Sequence, residues 1–308
     1  MGSGAPDSST ALVEGPWTHR GVPANGITVH LAELGTGPLV LLLHGFPQFW
    51  WAWRRQLVDL ADAGFRCVAV DMRGYGASDK PPRGYDTPTL ARDVAQLVSA
   101  LGETDAMVVG TDVGGLLAWT MASRHPRVVR SLAIVAAAHP LRLRHVLARS
   151  HAQRAASRYA LRTFQLPRRP EHLLGRDGEY VRSLFDEWSG PRWRATPGYH
   201  AEVARYAAAM RIHPVGYCAA EYFRWLVRSQ LRPDGRRYAA ALAAPIDTPV
   251  LQLHGALDGC VLPSTAQGSG QFVSGEYEWR LLDGVGHFPH NEVPELVSGE
   301  LVRWAKLH

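Results

Sequence analysis

The stretch with the clearest chemical signature is Val108-Val109-Gly110-Thr111-Asp112-Val113-Gly114-Gly115. An apolar run enters a glycine, a single carboxylate and then a glycine pair, and a helical pattern follows. That order predicts a strand, a sharp turn and a helix, with the Asp112 side chain projecting above the strand end. Small residues at Gly110 and Gly114 suit a turn this tight, whose central residue takes strained dihedrals. A carboxylate at a helix N-terminus is stabilised by the helix dipole and by backbone donors. Asp112 is therefore expected to be ionised and able to attack carbon. The alternative is that Asp112 only caps the helix opening at Val113.

A carboxylate that forms an ester needs a base to release it. Gly284-Val285-Gly286-His287-Phe288-Pro289-His290 is a Gly-rich loop after the last strand, and His287 is the expected general base. His290, nearer the next helix, is expected to brace the loop. The carboxylate that orients His287 is expected to be Asp258, just beyond the strand end in Leu251-Gln252-Leu253-His254-Gly255-Ala256-Leu257-Asp258. The competing strand end, after Leu132–Val135, offers only Ala and His139. Nucleophile, acid and histidine then follow one another in the chain order of a known hydrolase architecture. The turn in Leu41-Leu42-Leu43-His44-Gly45-Phe46-Pro47 exposes a backbone N–H at Phe46, which could pair with that of Val113 as an oxyanion hole. His44 lies in that forced turn and is expected to be structural. Trp50, Trp51 and Trp53 are candidate pocket walls, Trp51 foremost, although aromatic residues at a helix start are as often core packing.

The elements that must hold these groups follow from apolar patterning. Trp17–Gly21 and Ile27–Glu33 flank Asn25-Gly26, a strong hairpin signal. Leu39–Leu43, Cys67–Val70, Met107–Val109, Leu132–Val135 and Val250–Leu253 are short runs without polar alternation, as in parallel strands covered on both faces; Tyr277–Leu282 is the expected last strand. Helical patterns over Ala52–Ala63, Thr89–Leu101, Val113–Arg124 and Pro294–Leu307 alternate with them, which predicts a doubly wound α/β architecture. The alternation stops near Pro140 and resumes near Pro245, so residues 140–244 are expected to form an inserted helical domain. The core then comprises 17–139 and 245–308, and residues 1–16 are expected to be a disordered, solvated tail.

Bulk properties exclude several classes. The 308 residues are 46% hydrophobic and 20% charged, which suits a folded enzyme. No apolar run approaches the roughly 18 residues of a membrane helix, and no secretory pattern opens the chain. Cys67, Cys218 and Cys260 are odd in number and widely spaced; they fit neither a disulfide framework nor a zinc pattern and are expected to be buried thiols in a cytoplasmic protein. Cys260, two residues after Asp258, is placed to line the pocket. Net charge is +5, but residues 140–244 hold 19 Arg and no Lys against 8 acidic residues. Such a segment could attract an anionic ligand or surface; without interleaved aromatic residues it reads as a solvated, ion-paired face, not a nucleic-acid site.

The chain resembles the epoxide-hydrolase branch of the α/β-hydrolases. The matching segments are HGFPQFWWAWR (44–54), DMRGYGASDKPPRGYD (71–86), GTDVGG (110–115), HGALD (254–258) and GVGHFPHNEVPE (284–295), and with EYFRWLVRSQ (221–230) the pattern is closest to actinobacterial epoxide-hydrolase-like proteins. The resemblance implies an eight-stranded, mostly parallel sheet with 140–244 as a helical cap. It also implies ring opening of a small apolar epoxide to a vicinal diol through an ester on Asp112, with no metal or organic cofactor. A homodimer is compatible with it; nucleic-acid or membrane partners are not expected. Three departures stand out. Thr111 and Val113 replace the family's usual His and aromatic residue beside the nucleophile. Phe223, not Tyr, precedes Arg224, with Tyr222 one place earlier. Ala160 stands five residues before Gln165, with Tyr159 one place earlier. Tyr159, Tyr222 and the Phe223 position are thus the candidates for the site that protonates the epoxide oxygen. The rivals are haloalkane or haloacid dehalogenation by the same nucleophile, and a non-catalytic ligand-binding hydrolase fold.

Overall fold

A computed structural model describes residues 6–308. The Asn25-Gly26 pair takes positive φ at both residues and joins strand β1 (Thr18–Ala24) to β2 (Ile27–Leu34), as a tight hairpin turn requires. The fully apolar runs become β3 (Leu39–Leu43), β4 (Arg66–Val70), β5 (Ala106–Thr111), β6 (Val129–Val135) and β7 (Val250–Gly255), and β8 (Tyr277–Leu282) closes the sheet. Among the described residues these eight strands form one sheet in the order β1-β2-β4-β3-β5-β6-β7-β8. Every pair from β4 to β8 is parallel, and β2 is antiparallel to both its neighbours. Every residue of β3, β5 and β7 is buried, because helices cover both faces. Those helices are α1 (Arg54–Asp62), α2 (Thr87–Ala100) and α3 (Val113–Arg124) before β6, with α13 (Pro263–Gln267), α14 (Pro289–Glu292) and α15 (Pro294–Leu307) after β7.

The chain between β6 and β7 is helical: α4 (Pro140–Arg149), α5 (His151–Ala156), α6 (Arg158–Leu161), α7 (Arg169–Gly175), α8 (Glu179–Trp188), α9 (Pro191–Arg194), α10 (Tyr199–Met210), α11 (Val215–Arg228) and α12 (Pro233–Ala241). Proline at the first turn starts several of them, where its missing N–H costs nothing. Arg224 ties this region together from the buried side of α11. It donates to Phe164 O and Leu166 O and forms ion pairs with Glu171 and Glu221. No helix among the described residues is long and apolar enough to cross a membrane.

Two local expectations are corrected. Trp50–Trp53 forms a 3-10 turn, and α1 starts only at Arg54, because the three tryptophans are driven into the core rather than onto one helical face. In the expected tail, Ser8–Ala11 forms a 3-10 turn capped by Asp7, and Trp50 Nε1–H donates to Ala11 O at 2.7 Å, docking it on the core. Residues 1–5 lie outside the described residues.

The loops near the sheet's functional edge are organised around Asp71, at the end of β4. Its buried carboxylate accepts from Trp50 N–H (3.0 Å), Ala77 N–H (2.9 Å) and the His30 Nδ1–H (2.7 Å). Burial pushes this carboxyl up, yet the His30 bond and charge and the Trp50 donor together hold it below its ordinary value. Stability from a depressed carboxyl is fully present above its unfolded pKa near 4 and is lost as pH falls through the lowered folded value. Asp71→Ala should cost about 3–5 kcal/mol in denaturant unfolding at neutral pH, because it strands buried donors. That cost should shrink as the pH is lowered below about 4. A deficit that stays constant down to acid pH would show that the charge of Asp71 is not what organises these loops.

Candidate active site

Asp112 sits at φ 48°, ψ −117°, between the end of β5 and the start of α3. Its side chain makes no capping bond to α3, which removes the capping alternative. The turn is feasible because Gly110 and Gly114 face each other directly: a Cβ on Gly110 would overlap the carbonyl of Gly114, and one on Gly114 would overlap those of Leu43 and His44. The carboxylate therefore projects over the ends of β3 and β5.

Phe46 N–H donates to Asp112 Oδ2 at 3.0 Å, and the Val113 N–H lies beside the carboxylate. Of the two donors expected to form an oxyanion hole, Phe46 N–H bonds the carboxylate and Val113 N–H is its neighbour without a bond to it. Burial nevertheless dominates. It raises the Asp112 carboxyl above its ordinary value against the opposing His287 charge and both N–H groups. The dipole and donors do not offset desolvation in full, and the resulting carboxylate is a stronger base than an exposed one.

His287 is 1% exposed, and its Nδ1–H donates to Asp258 Oδ2 at 2.8 Å. Its Nε2 lies 3.9 Å from Asp112 Oδ1, beyond direct hydrogen bonding. Asp258 is held by two N–H donors from its own turn, Cys260 (2.8 Å) and Val261 (2.9 Å), both on Oδ1. Burial would raise Asp258, but His287 and His254 hold it well below the carboxylate range. Burial would lower His287, yet the Asp258 charge and hydrogen bond push it well above the ordinary imidazole value. The buried pair therefore favours imidazolium–carboxylate.

His44 and His290 take the structural positions expected of them. His44 Nδ1–H donates to Gly45 O and its Nε2 accepts from Met72 N–H, which fixes a neutral ring. His290 bonds Gln48 Oε1 at 3.0 Å and packs on Trp53. Patterning missed Glu292. This half-buried carboxylate accepts from Gly190 N–H, Gly286 N–H and Phe288 N–H, and so braces the His287 loop on both sides and pins it to the inserted helices. The His287 backbone N–H is likewise held by Trp188 O at 2.8 Å. Only a carboxylate five residues after the histidine hinted at this, and at a helix start it reads as a surface group.

A mainly apolar cavity of about 100 Å³ opens over Asp112, with Tyr159, Phe223 and Cys260 in its wall. The three candidates for the donor site separate here. Tyr159 is buried in that wall, its hydroxyl 3.4 Å from Cys260 Sγ, and its ring packs edge-on to Phe223. Phe223 faces the cavity with no donor to offer. Tyr222 points the other way and donates to Arg73 O at 2.7 Å, so its hydroxyl is already committed. Trp51 is also corrected. It lies outside the cavity wall, packed beside Tyr206 with the Arg54 guanidinium 3.7 Å above its ring.

Strand order, the strained turn at Asp112 and helices inserted after β6 together define the α/β-hydrolase class. A family model described as alpha/beta hydrolase fold matches residues 38–293, and the chain belongs to that family. Epoxide hydrolase 1 from Caenorhabditis elegans is 36% identical over 300 residues, covering 95% of this chain and 71% of that protein. Epoxide hydrolase 3 from Xenopus tropicalis is 39% identical over 183 residues, which span 58% of this chain and only 49% of that relative. The solved structure of an epoxide hydrolase from an endophytic Streptomyces superposes with a TM-score of 0.81 at 29% identity, covering 95% of this chain and 96% of that one.

The coupling of His287 to Asp258 can be tested apart from any reaction. Asp258→Asn removes the negative charge that favours imidazolium, so the His287 ring should titrate at lower pH in an NMR titration. An unchanged or raised titration point would show that Asp258 does not set its protonation.

Proposed function

We propose that this protein is an epoxide hydrolase, with Asp112 as nucleophile, His287 as general base, Asp258 as its orienting acid and Tyr159 as proton donor. The observation that carries this reading is a buried carboxylate facing a His–Asp pair in an apolar cavity whose wall holds a tyrosine hydroxyl. The epoxide hydrolases named among its relatives support the substrate class. Residues 140–244 act as the cap over a core of 17–139 and 245–308, and close the apolar side of the site.

The reaction begins with Asp112 attacking an epoxide carbon. The C–O bond breaks toward the ring oxygen, which takes the Tyr159 proton; an alkoxide is too basic to leave unprotonated. An alkyl ester remains on Asp112. After ring opening the His287 Nε2 proton passes through water to the Tyr159 phenolate. His287, now neutral at Nε2, removes a proton from the water that attacks the ester carbonyl, and Asp258 stabilises the imidazolium that this restores. The Phe46 N–H, which holds the resting carboxylate, and the adjacent Val113 N–H receive the oxyanion. Collapse releases the diol and restores Asp112. The 3.9 Å between His287 Nε2 and Asp112 Oδ1 suits a base that works on a third party rather than on the nucleophile itself. Halide expulsion is less well served, since Val113 offers the cavity no side-chain N–H to hold a halide.

Asp112→Ala should lower turnover of an apolar epoxide such as styrene oxide by about 10⁴-fold or more while the fold persists. His287→Gln should block the second step more than the first, so intact-mass spectrometry after incubation with substrate should show the protein carrying one epoxide adduct. If His287→Gln neither turns over nor accumulates adduct, the base assignment fails.

The donor assignment has its own test. Tyr159→Phe should slow ring opening by roughly 100-fold, given about 2–4 kcal/mol for a buried donor to a developing oxyanion. Tyr222→Phe should leave ring opening nearly unchanged and cost about 1 kcal/mol of stability through the lost bond to Arg73 O. Phe223→Tyr, by adding a donor to the same wall, should raise the rate about ten-fold or more. An inert Tyr159→Phe with a crippling Tyr222→Phe would reverse the assignment.

A further inference from the structure

Cys260 plays no part in the proposed reaction, yet it sits at its centre. One ligand atom from each of Asp112, Cys260 and His287 lies within 4.8 Å of the others, and all three residues are buried. The thiol is carried there by the turn that serves Asp258: Cys260 N–H donates to Asp258 Oδ1, so its side chain is fixed beside the imidazole that Oδ2 holds.

We propose that Asp112 Oδ1, Cys260 Sγ and His287 Nε2 form an inhibitory binding site for a thiophilic divalent cation of the Zn²⁺ type. Three features of the surroundings suit a metal. First, Cys260 Sγ has only a long contact to the Tyr159 hydroxyl at 3.4 Å, and the other two donors face each other. Phe46 N–H occupies Asp112 Oδ2 and leaves Oδ1 facing His287, and His287 Nε2 is buried without a hydrogen-bond partner among the described residues. Second, the outer support already exists. His287 gives its Nδ1–H to Asp258, the carboxylate–histidine pairing that orients a metal-bound imidazole and raises its basicity. Third, spacing is close to what a tetrahedral ion needs. Bonds of about 2.0–2.3 Å set neighbouring donors roughly 3.3–3.8 Å apart. The 3.9 Å between His287 Nε2 and Asp112 Oδ1, and at most 4.8 Å to the sulfur, lie within about 1 Å of that spacing.

Mixed O, S and N donors discriminate between cations. A thiolate selects Zn²⁺ or Cd²⁺ over Mg²⁺ or Ca²⁺, which prefer all-oxygen shells. Binding releases the Cys260 thiol proton and the His287 Nε2 proton to solvent as the S–metal and N–metal bonds form, with no change of oxidation state. The ion's fourth position faces the cavity. It thereby occupies both the nucleophile and the base, and turnover stops by occupation of the site rather than by unfolding.

The test measures binding first and activity second, so it does not depend on which reaction the site performs. Zn²⁺ added to the purified full chain should bind in one tight step by isothermal calorimetry, and Co²⁺ in its place should give a sulfur-to-cobalt charge-transfer band. Cys260→Ala should abolish the band and weaken Zn²⁺ binding by about 100-fold or more, since loss of an outer partner alone costs roughly 10–100-fold. Asp112→Asn and His287→Gln should each weaken it as well. Mg²⁺ should neither bind tightly nor inhibit. Inhibition, compared with each variant's own zinc-free rate, should require correspondingly more Zn²⁺ in Cys260→Ala. Equal affinity in wild type and Cys260→Ala, or a cobalt spectrum without a sulfur band, would overturn the inference and place the metal on other histidines. If the metal binds through Cys260 but no epoxide turns over, the proposed function fails and this site stands.

Discussion

Most of the site hangs on one backbone conformation, the left-handed turn at Asp112, where β5 hands over to α3. A residue with a Cβ at positive φ pays for that conformation, typically about 1–3 kcal/mol, and keeps it only if its neighbours over-determine it. Here they do. β5 is hydrogen-bonded on both sides, α3 packs back across it, and the glycines at 110 and 114 let the two backbones meet where any side chain would collide. Because the turn lifts the carboxylate out of the sheet, Phe46 N–H from the end of β3 and His287 from the loop after β8 can reach it from opposite sides. A capping aspartate would have bent toward α3 and met neither.

The electrostatics follow from where that turn delivers the charge. Two buried carboxylates lie on either side of one imidazole, and their surroundings drive them apart. Asp258 receives two backbone donors and two histidines and is held low; Asp112 keeps fewer compensating contacts and is held high. One carboxylate is thereby held as a counter-charge to His287 and the other as the more basic of the two, a difference set by environment rather than by residue type. The inserted helices complete the asymmetry by presenting an apolar wall in which Tyr159 supplies the hydroxyl and Phe223 only a ring. Glu292 links the two parts, since a shift of the inserted region at Gly190 would pull on the loop that carries His287.

How much of this could be read from residues alone depended on whether the signal was local. Leu39–Leu43, Val113–Arg124, Tyr277–Leu282 and Pro294–Leu307 appear within the expected bounds, because burial on both faces or a 3.6-residue period is written in consecutive residues. The elbow, His287 and Asp258 were legible for a similar reason: each is a polar residue at the end of an apolar run, with glycine beside it. What escaped was decided by contacts between distant segments. Tyr159 and Tyr222 look equivalent in sequence, and only the carbonyl of Arg73, far away in the chain, removes Tyr222 from the cavity. Trp51 was drawn from the pocket by two arginines, one of them on α10, and Ala11 was docked by Trp50, neither of which any periodicity encodes. Helix-dipole reasoning also overstated the stabilisation of Asp112, since burial is a property of the whole fold.

The central claim is that water attacks an ester on Asp112 rather than the epoxide itself, and the fate of oxygen decides it most directly. A single turnover is run with enzyme in excess over an apolar epoxide, in water enriched in heavy oxygen. The released diol and the peptide containing Asp112 are then weighed by mass spectrometry. The account predicts that the heavy atom enters the Asp112 carboxylate while the first diol leaves with the unlabelled oxygen that Asp112 supplied. Label in the first diol and none in Asp112 would mean that His287 activates water for direct attack, and the nucleophile assignment would be wrong.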